Sequence, residues 1–186
     1  MLRGTSFAQP GILILQAQQR WIGVNFPSAN IPKMRQNIFN QDFQEFIAAL
    51  NTNEVAYILV GGYSVILHGY SRTTGDMDIW VLPTIENYER LKKAFAQFGM
   101  SIFDMSADRF LATTHYEVFT FGRPPVCIDI LTQVKGLDFE SAFPRSEWFE
   151  LTDNLSVRAL RLADLLEAKQ ASSRPKDLDD IEKLGR

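Results

Sequence analysis

Three aspartates carried on hydrophobic segments are the residues of this chain best suited to chemistry. Asp76 and Asp78 open the run Asp76-Met77-Asp78-Ile79-Trp80, and Asp129 sits inside Val126-Cys127-Ile128-Asp129-Ile130-Leu131. On a strand, side chains two residues apart share a face and lie roughly 6–7 Å apart along the backbone. Asp76 and Asp78 therefore point together, while Met77 and Ile79 turn into the opposite layer. In the later run Val126, Ile128 and Ile130 share one face, and Asp129 falls on the other with Cys127 and Leu131. If the two strands are neighbours, three carboxylates converge. Crowded carboxylates raise one another's pKa unless a cation compensates. Mg²⁺, with Mn²⁺ as its substitute, prefers hard oxygen ligands, water and substrate phosphates. Two such ions, about 3.5–4 Å apart, would activate an attacking hydroxyl and stabilise a departing pyrophosphate.

A second constellation precedes the aspartates. The apolar run Val55–Val60 leads into Gly61-Gly62 and then Tyr63-Ser64-Val65-Ile66-Leu67, so strand, glycine turn and helix follow one another. Glycine lets a backbone approach a phosphate closely, and a helix start offers unpaired N–H groups. Ser64 could add a hydroxyl. The segment is neither a Walker loop nor a dinucleotide fingerprint. Alone, it reads as a tight structural turn; beside the aspartates, phosphate binding is the better reading. Two other chemistries that use paired aspartates fit poorly. Aspartyl phosphatases and sugar-nucleotide glycosyltransferases usually have an apolar strand before the pair, whereas here Ser71–Gly75 precede it and the strand follows.

Gly61-Gly62, Asp76-Met77-Asp78 and Ile128-Asp129-Ile130 together resemble the signature of the DNA polymerase β-like nucleotidyltransferase superfamily. The likeness is greatest to its small bacterial members related to abortive-infection and toxin–antitoxin nucleotidyltransferases. The run Arg72-x-Thr74-x-Asp76-x-Asp78 and the closing Lys169…Arg174-Pro175-Lys176-Asp177-Leu178-x-Asp180 extend the resemblance, which spans about 40–184. It implies a mixed-sheet α/β (α+β) fold and metal binding by Asp76 and Asp78. Asp129 would complete the metal site or act as general base toward an acceptor hydroxyl. Gly61, Gly62 and Ser64 would hold the triphosphate of a nucleotide such as ATP. The Gly-Gly form departs from the commoner Gly-Ser, which keeps the backbone contact and leaves the hydroxyl contact open. The implied activity is transfer of a nucleoside monophosphate to an acceptor hydroxyl with release of pyrophosphate. The acceptor is open among an RNA end, a protein side chain and a small molecule. A non-catalytic module that binds nucleotide, or an operon-encoded partner protein, is the alternative. A metal-dependent phosphohydrolase is a third reading.

Other polar residues admit two readings each. Arg72 could neutralise phosphate or pair with Asp76. Lys169 follows Leu165 and Leu166 on a helix, so its amine could reach a nucleotide or snorkel to solvent. Arg174 and Lys176 lie at a loop–helix junction and read as solvated. Asp177 suits the positive end of a helix, and Asp180 could bridge across helices. His68 and His115 read as structural, Cys127 as a small hydrophobe, and Phe139, Phe143, Trp148 and Phe149 as packing.

The elements that must position these groups follow from periodicity. Phe43, Phe46, Ile47 and Leu50 recur at helical spacing, and Asn51-Thr52-Asn53 ends that helix. Strands are expected over 55–60 and 76–82, with a short helix over 63–68 between them. Thr84 caps a helix carrying Ile85, Tyr88, Leu91, Phe95 and Phe98 inward, and Gly99 ends it. Strands over 116–121 and 126–131 are expected to form one hairpin and a second hairpin is expected around 152–154, followed by helices over 161–171 and 175–184. Residues 1–39 lack periodicity and read as an irregular extension, with Met34 as an alternative start; 40–186 would form one domain. The 186 residues, 46% apolar and carrying net charge −3, suit an ordinary globular chain without global attraction for nucleic acid. One cysteine rules out an intrachain disulfide. No apolar run is long enough for a membrane span or a signal peptide, so a cytoplasmic location is expected.

Overall fold

The computed structural model describes residues 39–103, 105–112, 118–124 and 126–185. The expected N-terminal extension, the alternative start at Met34, and His115 lie outside these residues. Helix α1 spans Gln41–Thr52, where the Asn40 side chain accepts from the Phe43 N–H at 2.8 Å. Burying Phe43, Phe46, Ile47 and Leu50 on one stripe is what holds this helix in place. Strand β1 (Tyr57–Leu59) leads into α2 (Gly61–Leu67), and β2 (Asp76–Val81) follows. Helix α3 (Ile85–Phe98) is capped by Thr84 and ended by Gly99 in the left-handed conformation, φ 81°. After α4 (Ala107–Leu111) come the hairpin strands β3 (Val118–Arg123) and β4 (Val126–Leu131). Helix α5 (Phe139–Ala142) and a 3₁₀ turn (Phe143–Arg145) lead to the second hairpin, β5 (Glu147–Thr152) and β6 (Leu155–Ala159). Helices α6 (Leu162–Ser172) and α7 (Pro175–Leu184) close the described chain.

The six strands form one mixed sheet in the order β3-β4-β2-β1-β6-β5. β2 runs parallel to β4 and antiparallel to β1; β1 runs parallel to β6. With seven α-helices flanking it among the described residues, the architecture is α+β. Strand alternation sorts the side chains into two layers. Met77, Ile79, Val81, Phe119, Phe121, Ile128 and Ile130 face α1, α3 and α4 and build the larger core. The other face meets α2, α5 and α6 through Ile58, Trp80, Val65, Phe139 and Leu165. Each fully buried Phe, Ile or Leu contributes roughly 1.5–3 kcal/mol, so the larger layer fixes which side of β2 and β4 remains for the aspartates.

Two boundaries and one buried position differ from expectation. Helix α2 starts at Gly61, not after the glycine pair, because Val60 serves as the extended N-cap. Strand β3 runs on to Arg123, since its pairing continues to Arg123↔Val126. Ile85, the first residue of α3, is 47% exposed and not inward, whereas Tyr88, Leu91 and Phe95 are buried. The aromatic residues pack as expected: Phe139 meets Trp80 edge-on at 5.0 Å and stacks on Phe143 at 5.3 Å. His68 is structural, with its Nε2 2.8 Å from the Leu160 carbonyl oxygen. Among the described residues no helix is long and apolar enough to cross a membrane.

Candidate functional site

The parallel register of β2 and β4 sets Asp78 directly opposite Asp129 and Asp76 opposite Cys127. All three carboxylates therefore share one face of the sheet, as the alternation requires. On the other side of β4, Thr120 is opposite Asp129, and its hydroxyl donates to Asp129 Oδ1 at 2.7 Å. That bond fixes one carboxylate oxygen and leaves the other for the site. Nothing in the sequence singles out Thr120; only the strand register reveals it.

Asp78 is the most perturbed of the three. Burial first, then the charges of Asp129 and Asp76, push its pKa up to about 6, against a hydrogen bond from the Gly62 N–H and the charge of Lys176. Two carboxylates in direct register repel, and that repulsion adds to the effect of burial on Asp78. The same burial, together with the charges of Asp76 and Asp129, raises the Cys127 thiol. Cys127 is buried and free, as a small hydrophobe on this strand.

The glycine pair closes the site from the β1 side. Gly61 has φ +62°, a left-handed conformation, and a Cβ there would collide with the Asp78 carboxylate. A Cβ on Gly62 would collide with the Thr74 side chain and reach 3.0 Å from Arg72 Nη2. Two glycines thus allow the turn to touch both the aspartate and the Arg72 guanidinium. Ser64, one turn along α2, is fully buried, and its hydroxyl has no hydrogen-bond partner among the described residues.

Arg72 does not pair with Asp76; its Nε lies 3.0 Å from Asp180 Oδ1. Lys169 is only 5% exposed, so its amine does not snorkel. It donates to Asp177 Oδ1 at 3.2 Å and lies 2.6 Å from Asp180 Oδ2. The contacts to Asp180 have ion-pair distance, but Arg72 Nε and Asp180 Oδ2 are not aligned as hydrogen bonds. We therefore assign them charge attraction alone. Arg174 Nε donates to Asp177 Oδ2 at 2.6 Å, so it is paired and not simply solvated. Burial alone would raise the Asp177 carboxyl, but hydrogen bonds from Arg174 and Lys169, and their charges, hold it below its ordinary range. The chain Arg72–Asp180–Lys169–Asp177–Arg174 contains three cations and two anions and ties α6 and α7 to the loop before β2. Its exposed end feels the aspartates: the charge of Lys176 acts on Asp78, and Arg174 is raised first by its hydrogen bond with Asp177, then by the charges of Asp177 and Asp78.

Among the described residues no group of three or more His, Cys, Asp or Glu side chains is already arranged to hold a metal ion. The donors nevertheless fit a hard divalent cation. Asp76, Asp78 and Asp129 offer only oxygen, and a cation would offset both the burial of Asp78 and the charges of Asp129 and Asp76 beside it. No protein-family model matches this chain, and no curated protein matches it.

Proposed function

We propose that this chain is a metal-dependent nucleotidyltransferase. One observation carries the reading: Asp78 lies in register with Asp129 while the Gly61-Gly62 backbone packs against the same carboxylate. Carboxylates for a divalent ion and a close backbone for phosphate are thereby adjacent, with the Arg72 guanidinium beside Gly62 and the charge of Lys176 acting on Asp78. Mg²⁺ or Mn²⁺, held by Asp76, Asp78 and Asp129, would neutralise phosphate charge and polarise the reacting phosphorus. Arg174 and Lys176 are the accessible cations for the triphosphate. Arg72 stiffens the glycine turn and adds its charge there, and Lys169 acts through the buried network and not by direct contact. Asp129, oriented by Thr120, takes the acceptor's proton. The acceptor oxygen bonds to the α-phosphorus, the bond to the β-phosphate oxygen breaks, and pyrophosphate leaves. Positioning and charge stabilisation supply the acceleration.

The test is transfer of label from α-³²P nucleoside triphosphates into RNA, protein and small-molecule fractions of a cell extract. Labelled product with pyrophosphate release, abolished in Asp129→Ala, supports the reading. Release of inorganic phosphate in place of pyrophosphate would point to a phosphohydrolase. A partner-binding module is the second reading, favoured by Phe103 at 94% and Val118 at 50% exposure and by the place of β3 at the sheet edge among the described residues. An operon-encoded partner that co-purifies with the chain would support it.

A further inference from the structure

The loop 69–75, between α2 and β2, brings Arg72 and Thr74 against the glycine turn and leads directly into Asp76. Among the described residues no backbone-to-backbone hydrogen bond holds 71–74. Ser71 and Thr73 are exposed, and a Cβ on Gly69 would meet no atom within 4 Å. A segment with so few contacts belongs to the easily opened part of a fold. Side chains therefore set its position, and two of them reach α7. Arg72 Nε lies 3.0 Å from Asp180 Oδ1, and the Tyr70 hydroxyl donates to Asp179 Oδ2 at 3.0 Å. The two anchors differ in kind. Asp180 is buried and shared with Lys169, whereas Asp179 is exposed. The bond to Asp179 is the first cause that raises the Tyr70 hydroxyl above its ordinary pKa, so the phenol stays protonated and donating. Helix α7 also carries Lys176, one turn before Asp179, and its charge acts on Asp78. The Tyr70–Asp179 bond thus ties the loop that carries Arg72 to the helix that carries Lys176.

We propose that Tyr70 is a positioning residue for triphosphate binding: its hydrogen bond to Asp179 latches the loop to α7 and keeps Arg72 and Thr74 against the Gly61-Gly62 turn. The identity of the ligand rests on the nucleotidyltransferase reading; the latch itself does not. A loop already in place when the nucleotide arrives spares the cost of ordering it on binding. The bond is exposed, so its loss exchanges a protein partner for water and leaves the core intact. The role concerns binding, and proton transfer stays with Asp129.

The test compares Tyr70→Phe, Asp179→Ala and Asp179→Asn with the parent in the full chain. Phe keeps the ring, and Asn keeps an acceptor oxygen without the charge. Amide hydrogen exchange is read first, without nucleotide. Expected are faster exchange over 71–76 in Tyr70→Phe and Asp179→Ala, parent-like exchange in Asp179→Asn, and melting temperatures close to the parent's in all three. Mg²⁺ with each of the four ribonucleoside triphosphates is then titrated calorimetrically. Binding should weaken roughly threefold to tenfold in Tyr70→Phe and Asp179→Ala, the worth of one hydrogen bond. The double variant should lose no more than either single one. In turnover the loss should fall on KM and not on kcat. Unchanged exchange over 71–76 in Tyr70→Phe, an equal loss in Asp179→Asn, or additive losses in the double variant would overturn the latch. Failure of the parent to bind any triphosphate would overturn the nucleotidyltransferase reading and the binding role with it, while the exchange rates still decide the latch.

Discussion

Asp78 is protonated in the folded chain at pH values where the unfolded chain has already released that proton. With its folded pKa raised to about 6, metal-free stability falls as pH rises from the ordinary carboxylate range through 6. Asp78→Asn should therefore raise metal-free stability near pH 7.5 by about 1–3 kcal/mol in denaturant melts, since one pKa unit is worth about 1.4 kcal/mol. The same variant should lose Mg²⁺ binding, and in the parent chain Mg²⁺ affinity should rise as pH passes 6. Stability independent of pH across this window would contradict the assigned repulsion. At Gly61, substitution by Ala meets both the positive φ and the Asp78 carboxylate. It should cost about 1 kcal/mol or more in melts and abolish nucleotide binding. Thr120→Val should lower the transfer rate several-fold with little change in stability, because Asp129 loses the hydrogen bond that orients its carboxylate. Thr120→Ser, which keeps the hydroxyl, should retain most of the parent rate.

Helices α6 and α7 act as a clamp, because their buried charges meet each other and the loop before β2. Removing one member of a buried ion pair leaves uncompensated charge, typically at a cost of about 3–5 kcal/mol. Lys169→Met should destabilise the chain by about that much, and adding Asp180→Asn should recover part of it in a double-mutant cycle. No loss on the single substitution would remove the clamp. The elements themselves were largely readable from the sequence. The 3.6-residue spacing of Phe43, Phe46, Ile47 and Leu50, the Thr84 cap and the Gly99 stop mark α1 and α3 because local chemistry alone decides them. The short α4 and α5 gave no such signal; their four- and five-residue lengths depend on packing of Phe110 and Phe139. Charge partners were harder still. The sequence suggests that Asp180 bridges across helices, as it does, but not that Lys169 and Arg72 are its partners, because that pairing depends on tertiary contact.

Across the whole molecule, a two-faced sheet separates stability from the proposed chemistry. One face is sealed by α1, α3 and α4, and the other holds the aspartates, the glycine turn and the charge network. Alternation along β2 and β4 disclosed which residues share a face, but not that these strands are parallel neighbours. That adjacency arises from a crossover through α3, α4 and β3, a long-range event that no local pattern encodes. It is also what turns separate aspartates into one site and brings Thr120 to Asp129. The central claim is that this face binds a metal–nucleotide complex. Calorimetric titration of each nucleoside triphosphate into the full chain, with and without Mg²⁺, tests it most directly for the parent and Asp76→Asn. Asp76 is exposed at the start of β2, so its substitution should leave the fold intact. Mg²⁺-dependent binding of at least one triphosphate, lost in the variant, is the predicted result; no binding, or equal binding by both proteins, would contradict it.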